Sequence, residues 1–548
     1  MTILNFLGKR PHVVLIILFA CISIKSFESD FLAIDDSMLI VHNPLMSLSW
    51  SNVRSIFIWP MNQFYDASYY PHQMQFVYYR PILLCYYLLN VLVWGINPVG
   101  FHISNLLLHL LTTFLIFRTA LLLFAGNRGL SLLAAAFFCV HPVHNELIGR
   151  VAMNENLLGL TMIASFYFYL QGRRSFSLIS FAFALLTKES AVMLPFVLLI
   201  FELNNKRLKD AAVSLIPYAA LMLPYLVVRA TIVYTPNIQL LYGDVINFML
   251  RSSSALAAYL KLLLVPIDLG IFYPSWSYDT QPPGNLLLTG FILMTVFCAL
   301  WLWRTEPTMR GLLLGTVTLL IPVLFNANNI ILGFDKAFIA ERQLYVPSIL
   351  FSLFIASVIY HEDDLPAKFM ATTMLFVIPF FAYKLGTFST VWKNDQSVFT
   401  EFVRNYPDTF LARKTKASQL HGQGDHVGAM AAYQALMKPT GSSGSENSSG
   451  SPPIVRYMNK QHHLGAALAP YQVWFADIHF SIGLLHMARN DLDAATQKFK
   501  VALLLEPYFY GARVSLARAY LKQGRYSDAA REYAFAKKEI TLIPGDNI

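Results

Sequence analysis

Residues 99–124 read VGFHISNLLLHLLTTFLIFRTALLLF, a long run with one formally charged side chain, Arg118. As a helix rising about 1.5 Å per residue, it exceeds the ~30 Å hydrocarbon core of a bilayer. Lipid is therefore its solvent, and the fold class follows: helices that cross a membrane. Its polar groups His102, Asn105 and His109 recur about one turn apart. They are expected to face the interior of a helical bundle and to hydrogen-bond between helices.

Working outward, similar apolar runs lie at 11–27, 129–149, 156–171, 175–187, 190–203, 211–232, 286–303, 311–332, 344–360 and 367–388. With 99–124 they predict about 11 spans. The first run follows Lys9 and Arg10 and resembles a signal peptide, but no small-residue cleavage site follows, so it is read as retained. The runs 175–187 and 190–203 are short and separated only by a Lys188–Glu189 corner. Over all 548 residues, 56% are hydrophobic and only 13% charged, with mean hydropathy +0.49. Soluble domains carry about a quarter charged residues. A cytosolic enzyme, a secreted disulfide scaffold and a disordered chain are excluded. Cys21, Cys85, Cys139 and Cys298 all sit in apolar stretches and imply no disulfide framework.

Charge density divides the chain. Residues 1–390 hold 23 Lys+Arg against 19 Asp+Glu, a net +4, and residues 391–548 hold 18 against 13, a net +5. The second part is far denser in charge, so a membrane domain over 1–388 is expected to precede a water-soluble domain over 389–548. Neither part has a basic run, which argues against nucleic acid as a partner. With the N-terminus cytoplasmic, the proposed inner loops are short and basic: Lys9-Arg10, Arg118 to Arg128, Arg173-Arg174, Lys206-Arg207-Lys209 and Arg304 to Arg310. The acidic loop His361 to Asp364 is the exception. The tail then lies on the non-cytoplasmic side, with two long outer loops, 28–98 and 233–285. Both hold candidate interfacial helices, one in the aromatic stretch Trp50 to Tyr87, the other near 245–265.

The tail repeats itself. Gly483, Ala495, Phe499, Ala502 and Pro507 occupy the small, aromatic and proline positions of a 34-residue tetratricopeptide (TPR) unit, and Ala517, Tyr520, Gly524, Ala529, Tyr533 and Ala536 repeat the pattern. Ala417, Gly424, Ala429 and Tyr433 form a fainter copy. Three repeats are expected, at 410–439, 476–507 and 510–541, with a flexible insertion at 440–475. The fold class is thus all-α: a polytopic helical bundle followed by a TPR α-solenoid.

Polar residues gather at the predicted outer face. Asp35 and Asp36 follow the first span, and adjacent carboxylates there must be solvated, metal-bound or paired. One of them can take a proton from a hydroxyl; a hydrated helix cap is the plainer reading. His141, His144 and Glu146 end the third span and can bind a cation or orient an acceptor, or simply satisfy one another. Lys188–Glu189 and Glu341–Arg342, the latter just before Tyr345, read either as local ion pairs or as cations offered to a phosphate, with Arg80 as a third.

Taken in order, Asp35-Asp36 with Asn43-Pro44, Tyr79-Arg80-Pro81, Phe101-His102 with Asn105 and His109, His141-Pro142-Val143-His144 with Glu146, Lys188-Glu189, and Ala340-Glu341-Arg342 with Leu344 to Ser348 resemble the transmembrane and TPR O-mannosyltransferases and their bacterial relatives. The resemblance covers about 30 to 540. It implies a C-type glycosyltransferase (GT-C) fold. It also implies an enzyme that moves mannose or another hexose from a polyprenyl-phosphate donor to a Ser or Thr hydroxyl on the non-cytoplasmic face, with inversion. Asp35 matches the base and Asp36 its partner; Arg80, Lys188 and Arg342 match donor-phosphate positions, with Glu189, Glu341 and Tyr345 supporting. His102, His141, His144, Glu146, Asn154 and Glu155 fall to acceptor or sugar binding. Relatives commonly place an arginine after the histidine motif, where this chain reads Met153-Asn154-Glu155-Asn156 and Arg150 lies four residues before Asn154. That departure bears on sugar or acceptor preference.

No nucleotide sugar is implied, since no phosphate-cradling glycine loop occurs. A divalent cation on Asp35, Asp36 or His144 is left open. The partners implied are a lipid-linked sugar, membrane lipids and a polypeptide held by the repeats. The short repeat array points to a bacterial inner membrane with a periplasmic site rather than the endoplasmic reticulum. The rival readings are transfer to a glycolipid or polysaccharide, a non-catalytic membrane scaffold, and a transporter.

Overall fold

Pro98 opens a helix that runs to Leu123. Proline suits this first position because its missing N–H would have no partner there, and the Asn97 side chain accepts the N–H of Val99. The chain reverses through Ala125 and Gly126, both at positive φ. Asn127 then caps the next helix, Arg128–Cys139, by accepting from Leu130 N. That helix stops before His141-Pro142, and the chain continues through a tight turn into Asn145–Gly149 at a 47° bend. A proline inside the run breaks it, as proline must.

A computed structural model describes residues 10–33, 35–61, 78–203, 207–232, 244–271, 273–274, 307–327, 337–361, 365–407, 410–437, 469–507 and 509–541. Among these, five helices are long and apolar enough to cross a membrane: Pro11–Glu28, Pro98–Leu123, Pro307–Leu324, Glu341–Tyr360 and Phe369–Lys393. Two bent pairs, Arg128–Cys139 with Pro142–Gly149 and Leu208–Ser214 with Ile216–Ile232, bring the number to seven. Of the eleven expected runs, 286–303 lies outside the described residues. The runs 156–171, 175–187 and 190–203 are helices of 16, 14 and 10 residues, Glu155–Leu170, Arg174–Thr187 and Leu194–Leu203. At about 1.5 Å per residue, each is shorter than a full crossing. The protein is a multi-pass membrane protein, and helices dominate its fold. One short antiparallel pairing, Tyr273–Pro274 with Ala337–Ile339, ties two loops together.

The described residues fall into two compact units. One holds those up to 327 and 337–398, and the other begins at 399. In the first, a continuous apolar core joins Phe138, Leu147, Phe166, Leu198, Tyr345 and Leu350 among others. This unit runs ten residues past the expected boundary at 388. Trp392 and Val398 are the reason: both pack with Leu32 and Ile271 in a separate buried cluster. Helix Asp244–Leu264 covers the expected interfacial segment and buries Tyr259, Leu262 and Leu263 in the main core.

The second unit contains three helical hairpins: Phe410–Gly422 with His426–Met437, Ala469–Ala488 with Leu492–Leu505, and Tyr510–Lys522 with Tyr526–Thr541. Each turns through a residue at positive φ, namely Gly424, Asn490 and Gly524. Asparagine is the L-residue that tolerates this region best after glycine. Ala495, Phe499, Ala502, Ala417, Ala429 and Tyr433 are buried at the small and aromatic positions read from the sequence. Most of the insertion expected at 440–475 lies outside the described residues.

A Cβ at Gly483 would lie 2.6 Å from the Phe499 ring. Gly483→Val is therefore expected to destabilise the repeats by about 1–3 kcal/mol, read as faster limited proteolysis of the tail in the intact chain.

Candidate active site

Asp35 lies in a tight loop, at φ +68°. That conformation costs an L-residue about 1–2 kcal/mol unless its surroundings hold it. They do so through Asp36. Asp36 is fully buried and accepts from Leu32 N (2.9 Å) with one oxygen and from Ala152 N (2.8 Å) with the other. It is thus a clamp between the loop after the first helix and the segment after Gly149. Asp35 instead turns outward, with its side chain 41% exposed, and accepts from Arg150 Nη2 at 2.7 Å.

Arg150 is the hub. Its Nη1 donates to Glu146 Oε2 at 3.1 Å, one helical turn back, and the Trp392 ring lies 5.4 Å from its guanidinium. Glu146, fully buried, also accepts from Arg342 Nη1 at 2.7 Å. The result is a chain of alternating charge, Asp35–Arg150–Glu146–Arg342. Partial burial works to raise the Asp35 carboxyl, but Arg150 above all, then Arg342 and Arg80, bring it below the usual carboxylate range. Burial prevails at Asp36, which is pushed up to about 6 despite Arg150 and the two backbone donors. Environments that separate two carboxyls in this way separate their roles: Asp35 is the ionised, exposed group and Asp36 the enclosed one.

The two dipeptides read as local ion pairs pair elsewhere. Lys188 Nζ donates to Glu155 Oε1 (2.7 Å) and Asn154 Oδ1 (3.3 Å), whereas Glu189 holds Arg80 through two bonds, at 2.6 and 3.1 Å. Glu341 likewise ignores Arg342 and accepts from Gly270 N, Tyr273 and Asn145. In each dipeptide the two side chains point to different elements, so each acid anchors a different loop. Arg342, 30% exposed, is more accessible than Arg80 at 8% or Lys188 at 11%.

The histidines pack beneath this face. His109 donates from Nε2 to Cys139 O and accepts from Tyr345 Oη, each at 3.0 Å. His141 donates from Nε2 to Leu263 O at 3.0 Å. His144 Nε2 bonds Ser348 Oγ at 3.0 Å, and its ring lies against Tyr345. His102 is buried in its helix beside the backbone of Ser29. Of the residues named for a cation, Asp36 uses both oxygens on backbone N–H groups and His144 bonds Ser348 through Nε2. Among the described residues, no group of three or more His, Cys, Asp or Glu side chains is placed to hold a metal ion.

Three further groups emerge from the geometry. Arg150 was noted for its position but not placed in the site; its spacing from Glu146 was the available signal. Asn105 donates to Val151 O (2.8 Å) and accepts from Tyr86 and Asn156 (2.7 and 2.8 Å), fixing the loop that carries Arg150. Trp392 donates from Nε1 to Asn145 Oδ1 at 2.8 Å; nothing in its sequence context marks it. Beside Lys188 a cleft opens, with Glu155, Ser190 and Gln343 at its polar end and Leu158, Leu319, Val323 and Val346 as apolar wall. A wholly apolar groove shares Leu319 and Val346 with it and reaches Phe166 and Leu350.

The tetratricopeptide repeat family matches residues 486–534. Human protein O-mannosyl-transferase TMTC1 is 23% identical over 487 residues, covering 76% of this chain and 53% of that protein. The chain is TMTC-like. Drosophila melanogaster protein O-mannosyl-transferase Tmtc1 is 34% identical over 122 residues, 21% of this chain and 14% of that protein. Human TMTC4 is 30% identical over 168 residues, 27% and 21%. The TMTC-like chain thus spans about half the length of human TMTC1 and smaller shares of the others. No solved structure matches it.

Removing one partner from a buried ion pair strands the other charge, at a cost of about 3–5 kcal/mol. Glu146→Leu is expected to lower stability by that amount in detergent-solubilised protein, measured by thermal unfolding. Asp36 has a second consequence. Its folded value lies above the ordinary 3.8, so the folded state binds the extra proton between the two values, and stability from this group is lost as pH rises towards 6. Asp36→Asn does not titrate. The stability of the wild type relative to this variant should therefore fall by about 2 kcal/mol between pH 4 and 7, and a flat difference would contradict the assignment.

Proposed function

We propose that this chain is an integral-membrane glycosyltransferase. It moves mannose or another hexose from a polyprenyl-phosphate donor to a Ser or Thr hydroxyl of a polypeptide, with inversion, on the non-cytoplasmic face. That face is periplasmic in a bacterial inner membrane and lumenal in the endoplasmic reticulum. The observation that carries the reading is Asp35: a partly exposed carboxylate kept ionised by Arg150, with Arg342 and Arg80 as further cations. The names of the relatives, all protein O-mannosyl-transferases, support the class of reaction.

The chemistry balances as one displacement. The acceptor oxygen bonds to the anomeric carbon while the bond from that carbon to the phosphate oxygen breaks. The electron pair stays on the departing polyprenyl phosphate, and the hydroxyl proton passes to Asp35. Negative charge grows on the phosphate as the bond breaks. Arg342, the most accessible cation, and Lys188 at the cleft answer it from fixed positions. Cations held by Glu146 and Glu155 need little reorganisation, which is how such groups stabilise a transition state most. The cleft beside Lys188 continues into apolar walls, a chemistry suited to a charged headgroup on a hydrocarbon chain. The repeat unit supplies a surface for the polypeptide.

The test is transfer in proteoliposomes, from labelled polyprenyl-phosphate hexoses to a Ser/Thr peptide library. Asp35→Asn is expected to reduce kcat by about 10²–10⁴-fold, and equal transfer by both proteins would sink the assignment. Labelling of lipid acceptors alone would favour the glycolipid reading instead.

A further inference from the structure

Segment 389–398 follows helix Leu365–Phe388 and grips the Asp35 loop through several independent contacts. Lys393 O accepts from Asp30 N at 2.9 Å, and Asp395 Oδ1 accepts from Ala33 N at 2.9 Å. Between these points Leu32, almost fully buried, packs with Trp392, Val398 and Ile271. The Lys393 ammonium pairs with Glu28 at 3.2 Å. On the other shore of the site, Trp392 donates to Asn145 and lies beneath Arg150. It also presses on Gly149 so closely that a Cβ there would sit 2.5 Å from the Trp392 Cβ.

These contacts converge on one carboxylate. The Asp35 side chain is partly exposed and accepts from Arg150, so its direction is set by its backbone and by that guanidinium. Asp395 and Trp392 reach both. The backbone of 30–33 leads into the left-handed turn at Asp35, and Trp392 seats the short helix that ends at Arg150. A base must come within about 3 Å of the proton it takes, and misplacement by about 1 Å can cost a hundredfold in rate.

We infer that Trp392 and Asp395 are positioning residues for Asp35, aligning its carboxylate with the acceptor hydroxyl from a segment outside every motif of the site. The inference rests on the reading of Asp35 as the base. It adds that the start of helix Asp395–Asn405, which leads into the repeat unit, belongs to the machinery of transfer.

The full chain in proteoliposomes, with polyprenyl-phosphate mannose and an acceptor peptide, tests this through five proteins: wild type, Asp395→Ala, Asp395→Asn, Trp392→Phe and Asp35→Asn. Asp395→Ala loses the acceptor for Ala33 N and should lower kcat per folded molecule about tenfold, with donor KM within about twofold. Asp395→Asn keeps an Oδ1 acceptor and should recover to within about threefold of wild type. A purely structural role would reduce the folded fraction while leaving kcat per folded molecule unchanged, which overturns the inference. Should Asp395→Ala fail to fold, Trp392→Phe carries the test, since it keeps an aromatic ring while losing the N–H offered to Asn145 and part of the ring's volume. There kcat should fall about threefold, and wild-type kcat overturns the inference. Wild-type transfer by Asp35→Asn would remove the base assignment itself. An inactive Asp35→Asn beside a fully active Asp395→Ala or Trp392→Phe would remove the positioning role alone.

Discussion

Everything at the candidate site depends on the ion-pair chain from Asp35 through Arg150 and Glu146 to Arg342. Arg150 and Glu146 are sealed from solvent, where an isolated charge is far costlier than in water. Neither can be there without the other, and neither alone suffices. Glu146 must serve two guanidiniums, and Arg150 must reach across to the Asp35 loop. Four stretches of chain distant in sequence are thereby obliged to meet: the Asp35 loop, the broken third span, the turn before Tyr345, and segment 389–398 through Trp392. The uncharged neighbours follow the same demand, as Asn105 and Asn145 fasten the backbone on which the charges ride.

The same arrangement explains why the cations remain fit for work. A free lysine or arginine at a membrane surface is mobile and well hydrated. Here Arg80, Lys188 and Arg342 each face a fixed carboxylate, so they are held in place with donors left over. For the proposed transfer that is the useful state, because developing charge on a phosphate is met by groups that need not move. The apolar walls running from the Lys188 cleft fit the other half of a lipid-linked donor. The histidines, which read as binding groups, lie in the floor beneath, and their hydrogen bonds to Tyr345, Ser348 and two backbone carbonyls help keep it rigid.

Legibility from sequence followed the range of the interaction. Long apolar runs and the 34-residue repeat are local patterns. They carried the helical membrane body and the paired helices of the tail. Short helices such as Arg174–Thr187 are harder to count, because a run of apolar residues does not say whether a helix crosses alone or packs into a bundle. The polar residues were recognisable as a set but not as partners. Neighbours such as Lys188 and Glu189, or Glu341 and Arg342, looked like pairs because they are adjacent. In the fold each reaches a residue at least thirty positions away.

By itself, then, the sequence determined the solvent of each part, the helical class and the repeat, since these follow from composition and short-range periodicity. Only the tertiary structure decided that Asp35 is the more exposed carboxylate and Asp36 the clamp, that Arg150 joins the loops, and that Trp392 and Asp395 brace them from segment 389–398. Burial and partner choice belong to contacts across more than a hundred residues, and no spacing along the chain encodes which distant charge or N–H will satisfy a given carboxylate.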